Sequence, residues 1–192
     1  MKIKAIIFDF FGVICPEVAS SWFKNYFPPE EIKGLMKKYC EPGDRGEMSY
    51  SEFLKALAEL TGQKSKDVEK EMATYIIINK KLVALIKKLK NKYKLAICSD
   101  ATEEFISKII SDNKLSVLFD TIVISSVEKI DKPHPEIFYI TLRKLGVNPE
   151  EALFIDDHIE NVKAAKKIGI NSILFTSTKD LEHELETKKI SI

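Results

Sequence analysis

Five short apolar runs punctuate the chain: residues 3–8 (IKAIIF), 94–98 (KLAIC), 121–125 (TIVIS), 152–155 (ALFI) and 171–175 (NSILF). Their length and their Ile and Val content predict buried strands. Between them the apolar positions shift to helical spacing. Leu82, Leu85, Ile86 and Leu89 predict a helix over 79–91. Phe105, Ile106, Ile109 and Ile110 predict another over 103–112, with Thr102 in position to cap it. Pro135 suits a first helical turn that leads through Ile137, Phe138, Ile140, Leu142 and Leu145 to a stop at Gly146. A further helix over 159–168 ends at Gly169. Strands that alternate with helices imply a parallel sheet covered on both faces, and right-handed crossovers make it doubly wound. The expected fold class is α/β, with a five-stranded Rossmann-like parallel sheet.

Residues 16–78 break the alternation. They carry helical patterns only, over 18–26, 30–39, 49–60 and 65–77, with a turn-rich break at 41–49 (EPGDRGEMS). Ser49 followed by Glu52 has the form of a capping box at the start of the third helix. The expected organisation is a core of residues 1–15 and 79–192, interrupted by an all-helical insert over 16–78.

Composition narrows the class without naming a function. The chain has 192 residues, 45% hydrophobic and 31% charged, with a net charge of +1. One domain with a modest insert is expected. Near-neutral charge offers no nucleic-acid or membrane partner. The chain runs from Met1-Lys2 directly into a strand, so no signal peptide is expected. Cys15, Cys40 and Cys98 are odd in number and widely spaced, which points to free thiols and a cytoplasmic location. No Cys/His cluster suggests zinc.

The chemistry lies at the ends of the strands. Asp9 ends IIFDFFGV, Ser99 ends LAICS, Lys132 lies in DKPHPEIF, and Asp156 and Asp157 end ALFIDD. Ligands of an open parallel sheet bind outside the carboxyl ends of its strands. A carboxylate, a hydroxyl, an ammonium and an acidic pair would therefore converge there. A carboxylate can attack phosphorus to form an aspartyl-phosphate. Adjacent carboxylates repel unless a cation sits with them, and oxygen ligands beside a phosphate suit Mg²⁺. Each residue also has a plain reading: a turn Asp, a capping Ser, a surface Lys, or an N-terminal acid pair favourable to the helix dipole.

These four motifs, in this order along nearly the whole chain, resemble the haloacid dehalogenase superfamily, most of whose members are phosphatases. The resemblance implies that Asp9 is the nucleophile and that Lys132 neutralises charge on it and on the phosphate. Gly12 would let the backbone turn beneath the phosphate. Ser99 would hold a phosphate oxygen. Asp100 follows it in the binding set, although an acid beside a phosphate needs to point away or pair with a cation. Metal would be held by Asp9, the backbone carbonyl of Phe11 and the acid pair Asp157 and Asp156, with Asp157 the closer ligand of the two. Asp156 would stand behind or hold Lys132, and Asn161 would orient Asp157. The insert resembles the family's helical cap, which closes over the site and selects the substrate.

One position departs from the family pattern. Most phosphatases of the superfamily carry a second Asp two residues after the nucleophile, to protonate the leaving group and activate water; here that position is Phe11. An aromatic residue there is shared with the 2-haloacid dehalogenases, which use no metal and lack the adjacent acid pair. The expected function is an Mg²⁺-dependent phosphatase for a small phosphorylated metabolite, active as a monomer or small homo-oligomer. The alternatives are a non-catalytic phosphate or metabolite binder and a carbon–halogen hydrolase. Arg45, in the turn-rich break, is either solvated or a bidentate contact for an anionic substrate. Trp22, Phe23, Tyr26 and Phe27 read as core of the insert. His134, His158 and Cys15 take no catalytic role in this reading.

Overall fold

The computed structural model describes residues 2–192. Met1, counted with the first core segment above, lies outside them. In chain order the elements are β1 (Ala5–Phe8), α1 (Val18–Phe23), α2 (Pro29–Leu35), α3 (Glu41–Asp44), α4 (Tyr50–Thr61), α5 (Ser65–Ala73), α6 (Lys80–Lys90), β2 (Lys94–Ser99), α7 (Glu103–Asp112), β3 (Thr121–Ile124), α8 (Ser125–Glu128), α9 (Pro135–Leu145), β4 (Ala152–Asp156), α10 (Ile159–Lys167), β5 (Asn171–Leu174) and α11 (Thr178–Thr187). The five strands form one parallel sheet in the order β3-β2-β1-β4-β5. β1 lies at its centre, with Phe8 paired to Ile97 on one side and Ile155 on the other.

The two-residue period of each strand divides the core into two layers. Ile6, Phe8, Leu95, Ile97, Leu153 and Ile155 face one way, against α6, α7 and α11. Ala5, Ile7, Ala96, Cys98, Ala152 and Phe154 face the other, against α9 and α10. Helices thus cover both faces, as the alternating pattern predicts. The apolar positions of α1, α4 and α5, including Trp22, Leu57 and Met72, join the first layer.

The region between β1 and α6 is helical, with one departure from the expected pattern. The break at 41–49 is partly helical: a π turn, Met36–Cys40, carries α2 on into α3. Pro42 is tolerated because it sits in the first turn of α3, where its missing N–H costs nothing. The Ser49–Glu52 capping box is present, with the Ser49 amide donating to Glu52 Oε2 at 2.8 Å. Thr102 occupies the N-cap position of α7, but its hydroxyl caps nothing. Its methyl packs against α3 instead, where a Cβ on Gly43 would come within 2.8 Å of Thr102 Cγ2. Helices α8 and α11 have no counterpart among the elements expected from the apolar pattern. Among the described residues no helix is long and apolar enough to cross a membrane. The three cysteines are free.

Candidate active site

Asp9 is the first residue beyond β1, and its backbone N–H donates to Ile155 O on β4 at 2.9 Å. The chain then turns sharply. The amides of Ile14 and Cys15 both donate to Phe10 O, at 2.8 and 2.9 Å. Gly12 makes the turn possible with φ +84°, a conformation that L side chains rarely adopt. It also makes room: a Cβ there would lie 2.2 Å from Asp157 Oδ2. The Asp157 carboxyl therefore rests on the Asp9 loop.

Lys132 ties the centre together. Its side chain is 1% exposed, and Nζ lies 2.9 Å from Asp9 Oδ1 and 2.9 Å from Asp156 Oδ2. Its backbone N–H donates to Asp100 Oδ1 at 3.0 Å. Asp100 thus resolves its sequence-level conflict by turning to the Lys132 backbone. Asp156 is fully buried and saturated, also accepting from the His158 amide at 2.7 Å and from Asn161 Nδ2 at 3.1 and 3.2 Å. Burial opposes ionisation of Asp156, but Lys132, the His158 amide and Asn161 outweigh it and hold the carboxyl below its ordinary range. Burial likewise opposes the Lys132 ammonium, yet Asp9, Asp156 and Asp100 keep it protonated well above the usual range. Burial raises the Asp9 carboxyl, against the pull of Lys132. Asp157 is raised as well, by burial and then by Asp156, with His158 opposing.

Two oxygens on either side of Asp9 are buried without a hydrogen-bond partner: Ser99 Oγ at the end of β2 and Asp157 Oδ1 just beyond β4. A carboxylate oxygen of Asp157 lies within 4.8 Å of one on Asp156 and of a ring nitrogen of His158. The donor set is chiefly carboxylate, which fits a hard cation. Only Asp157 has an oxygen to spare, since both oxygens of Asp156 are engaged.

Two expected placements are corrected. Asn161 contacts Asp156, not Asp157. It lies in the first turn of α10, and helical side chains point back toward the N-terminus, here onto the end of β4. Arg45 does not join the cluster. Its guanidinium is held by Glu47 at 2.8 Å and Glu41 at 3.3 Å, with Asp131 at 3.7 Å. His134 caps α9 through Nδ1, and burial pushes the Cys15 thiol up to about 11, so neither gains a chemical role.

A cleft of about 500 Å³, counted to its open mouth, separates the helical region from the sheet. Phe11, Asp100, Thr102 and Phe105 line it from the sheet side; Glu17, Val18, Met36, Asp44, Tyr50 and Phe53 line it from the other. Phe11 stacks parallel to Phe105 at 5.7 Å, and Phe105 stacks on Tyr50 at 5.1 Å. This aromatic row forms one wall. Glu17 and Asp44 are site residues that no motif marks. The one sequence signal for Glu17 is its isolation, as the only acid between Asp9 and Glu30.

A model of haloacid dehalogenase-like hydrolases matches residues 6–175. The chain belongs to that family. It is 26% identical over 201 residues to D-ribitol-5-phosphate phosphatase of Bacteroides thetaiotaomicron, covering 95% of this chain and 97% of that protein. It is 28% identical over 209 residues to mouse acyl-CoA dehydrogenase family member 10, covering 95% of this chain but only 19% of the mouse protein's length. Among solved structures, the magnesium complex of a haloacid dehalogenase family enzyme from Bacteroides thetaiotaomicron superposes with a TM-score of 0.80 at 24% identity, over 96% of this chain and 99% of that one. The shared fold is thus a five-stranded haloacid dehalogenase core.

Proposed function

We propose that this haloacid dehalogenase-family hydrolase is an Mg²⁺-dependent phosphatase acting on a small phosphorylated metabolite, with Asp9 as nucleophile. The observation that carries the reading is the pair of buried, unpartnered oxygens flanking Asp9, on Ser99 and Asp157. A buried polar atom without a partner costs about 1–3 kcal/mol. A phosphate oxygen at Ser99 and a hard cation at Asp157 would satisfy both. The phosphatases among the relatives, and the magnesium complex of a protein with the same fold, support this reading.

Asp9, Asp157 and the Phe11 carbonyl are the groups that would hold Mg²⁺. Bound there, it would neutralise charge on the phosphate. The rest follows from the chain itself. Lys132 favours the ionised form of Asp9 against the burial that opposes it, and aims one carboxylate oxygen, and its ammonium stabilises charge on the transferring phosphoryl group. Asp156 holds that ammonium in place. Asp9 displaces the leaving group to give an aspartyl-phosphate, and water then releases phosphate. Residues 16–78 act as a cap, and the cleft beneath them receives the part of the substrate beyond its phosphate. A carbon–halogen hydrolase would also use Asp9, but it would leave Asp157 Oδ1 without a role.

The test is thermal unfolding with and without Mg²⁺, combined with a screen of phosphorylated metabolites. Mg²⁺ is expected to raise the Tm of the parent by mass action. Asp157→Ala should lose that shift, and Asp9→Asn should form no phosphoenzyme. An equal Mg²⁺ shift in Asp157→Ala and the parent would sink the metal assignment.

A further inference from the structure

An alkyl phosphate expels an alkoxide, which leaves slowly unless it is protonated as the bond breaks. Water that attacks the aspartyl-phosphate must in turn lose a proton. The loop that carries Asp9 offers no group for either proton transfer, because Phe10 and Phe11 are hydrocarbon, Gly12 has no side chain, and Val13 and Ile14 are buried. The Lys132 ammonium is shared between two carboxylates. The acid–base group must come from the cleft that receives the leaving group.

We infer that Glu17 is the general acid and base of this site. It is two residues beyond Cys15, where the Asp9 loop ends, and it lines the same cleft as Phe11. It occupies the N-cap position of α1, yet its carboxyl makes no capping hydrogen bond. It takes part in none of the ion pairs among the described residues. Its structural role is filled by its backbone carbonyl, which accepts from the Ser21 amide at 3.0 Å and hydroxyl at 2.7 Å. The carboxyl is left free to face the cleft.

The charged groups around it are those of the reaction centre. Asp157, His158, Lys132 and Asp100 act on it most, Asp44 lines the same side of the cleft and feels its charge, and Cys15 and Cys40 lie close enough to feel it too. Burial, reinforced by Asp157, pushes its carboxyl from 4.5 up to about 7. An acid–base group works best when its pKa lies near the operating pH. The aromatic row of Phe11, Phe105 and Tyr50 makes the cleft apolar, and an apolar wall raises the pKa of a carboxyl facing it. Asp100 is a poorer candidate because one oxygen is fixed by the Lys132 amide.

The steps balance. Asp9 Oδ forms a bond to phosphorus as the P–O ester bond breaks, its electron pair goes to the leaving oxygen, and the Glu17 proton moves to that oxygen. The Glu17 carboxylate then takes a proton from water. The water oxygen bonds to phosphorus, and the bond from phosphorus to Asp9 breaks, restoring its carboxylate.

This inference rests on the phosphatase reading, and its test separates the two. Parent, Glu17→Gln, Glu17→Asp and Asp9→Asn proteins are given 4-nitrophenyl phosphate and an alkyl phosphate with Mg²⁺ saturating, across pH 5–9. Phosphoenzyme is trapped by acid quench. Glu17→Gln is expected to be phosphorylated by the aryl ester but to release phosphate about 10²- to 10⁴-fold more slowly, so that phosphoenzyme accumulates. Alkyl ester turnover should fall by a similar factor, and the pH dependence that the parent shows near neutrality should vanish. Glu17→Asp should recover part of the rate. A parent that forms no phosphoenzyme overturns the phosphatase reading and this inference with it. A parent that forms it, alongside a Glu17→Gln variant with parental dephosphorylation and pH profile, overturns the Glu17 assignment alone. So does loss of that pH dependence in Asp44→Asn but not in Glu17→Gln.

Discussion

The floor of the site and the wall of the cleft above it are both acidic, and they treat their charges in opposite ways. On the floor, Asp9 and Asp156 share the Lys132 ammonium at 2.9 Å each, and Asn161 and the His158 amide occupy what remains of Asp156. On the wall, Glu17 and Asp44 have no cation, and burial raises both: Glu17 to about 7 and Asp44 well above its ordinary value. Asp100, between the two, is pushed up to about 6 by burial, with Lys132 pulling the other way. The shared ammonium fixes both floor carboxyls in direction; it holds Asp156 charged and opposes the burial that raises Asp9, as suits a nucleophile and its support. Buried carboxyls without one are held toward their protonated form, and Glu17, at about 7, changes charge near neutral pH, as suits proton transfer.

Removing Lys132 attacks this contrast most directly. Lys132→Met keeps much of the side-chain volume but leaves Asp9 and Asp156 buried without their cation. Truncating one partner of a buried pair costs about 3–5 kcal/mol. Urea unfolding at pH 7 should register a loss of that size, smaller near pH 4, where the orphaned carboxyls can take protons. A loss below about 1 kcal/mol at pH 7, the range of an exposed pair, would mean that the floor is more hydrated than its 1% exposed Lys132 side chain implies.

The wall makes the next largest prediction, with the opposite sign. The folded-state pKa of Glu17 lies above its unfolded value of 4.5, so between 4.5 and about 7 the folded state binds the extra proton. Stability from this group is full below the unfolded pKa and is lost as pH rises through about 7. At about 1.4 kcal/mol per unit, the rise from 4.5 to about 7 is worth at most about 3.5 kcal/mol. Glu17→Gln escapes that loss. With metal chelated, the variant should gain stability relative to the parent between pH 5 and pH 8, whereas Lys132→Met loses most at the upper end of a similar range. A stability difference that is flat with pH would show Glu17 to be well solvated.

The floor is the half that can be read in the sequence, for a physical reason. Its residues end fully apolar strands, so strand length and the parallel topology fix where Asp9, Ser99, Asp156 and Asp157 emerge. The partner of Asn161 is not legible there, because it depends on how the first turn of α10 leans over β4. Arg45 is half legible: Glu41 lies one helical turn before it and Glu47 two residues after, a local arrangement that holds a guanidinium close to home. The wall is hidden because Glu17, Asp44 and Tyr50 meet only when short helices pack together, and no period in the sequence records that. Helix α11 escapes the apolar pattern because only Leu181 and Leu185 mark its buried face, although Ser177 accepting from the Asp180 amide at 3.1 Å is a readable start signal.

The smallest effect tests whether floor and wall are mechanically separate. Tyr50 and Phe53 reach the cleft from the first turn of α4, and that turn is held by the Ser49–Glu52 box. In Ser49→Ala the Glu52 amide loses the Ser49 hydroxyl that accepts from it at 3.3 Å, and the Glu52 carboxylate loses the hydroxyl that donates to it at 2.7 Å. Loss of an N-cap costs about 0.5–2 kcal/mol, typically about 1. If the wall is an independent unit, the cost should appear locally. Amide exchange in α4 should speed up, while the amides of β1 and β4, buried at the centre of the sheet, keep their protection. Tyr50 stacks on Phe105 and Phe105 on Phe11, so the looser turn should also disturb the aromatic row and let water nearer to Glu17. Its pKa should then fall toward 4.5, and the pH-dependent gap between parent and Glu17→Gln should narrow when both are measured in the Ser49→Ala background. Equal acceleration of exchange in α4 and in the central strands would instead mean that the helical region and the sheet open together as one cooperative unit.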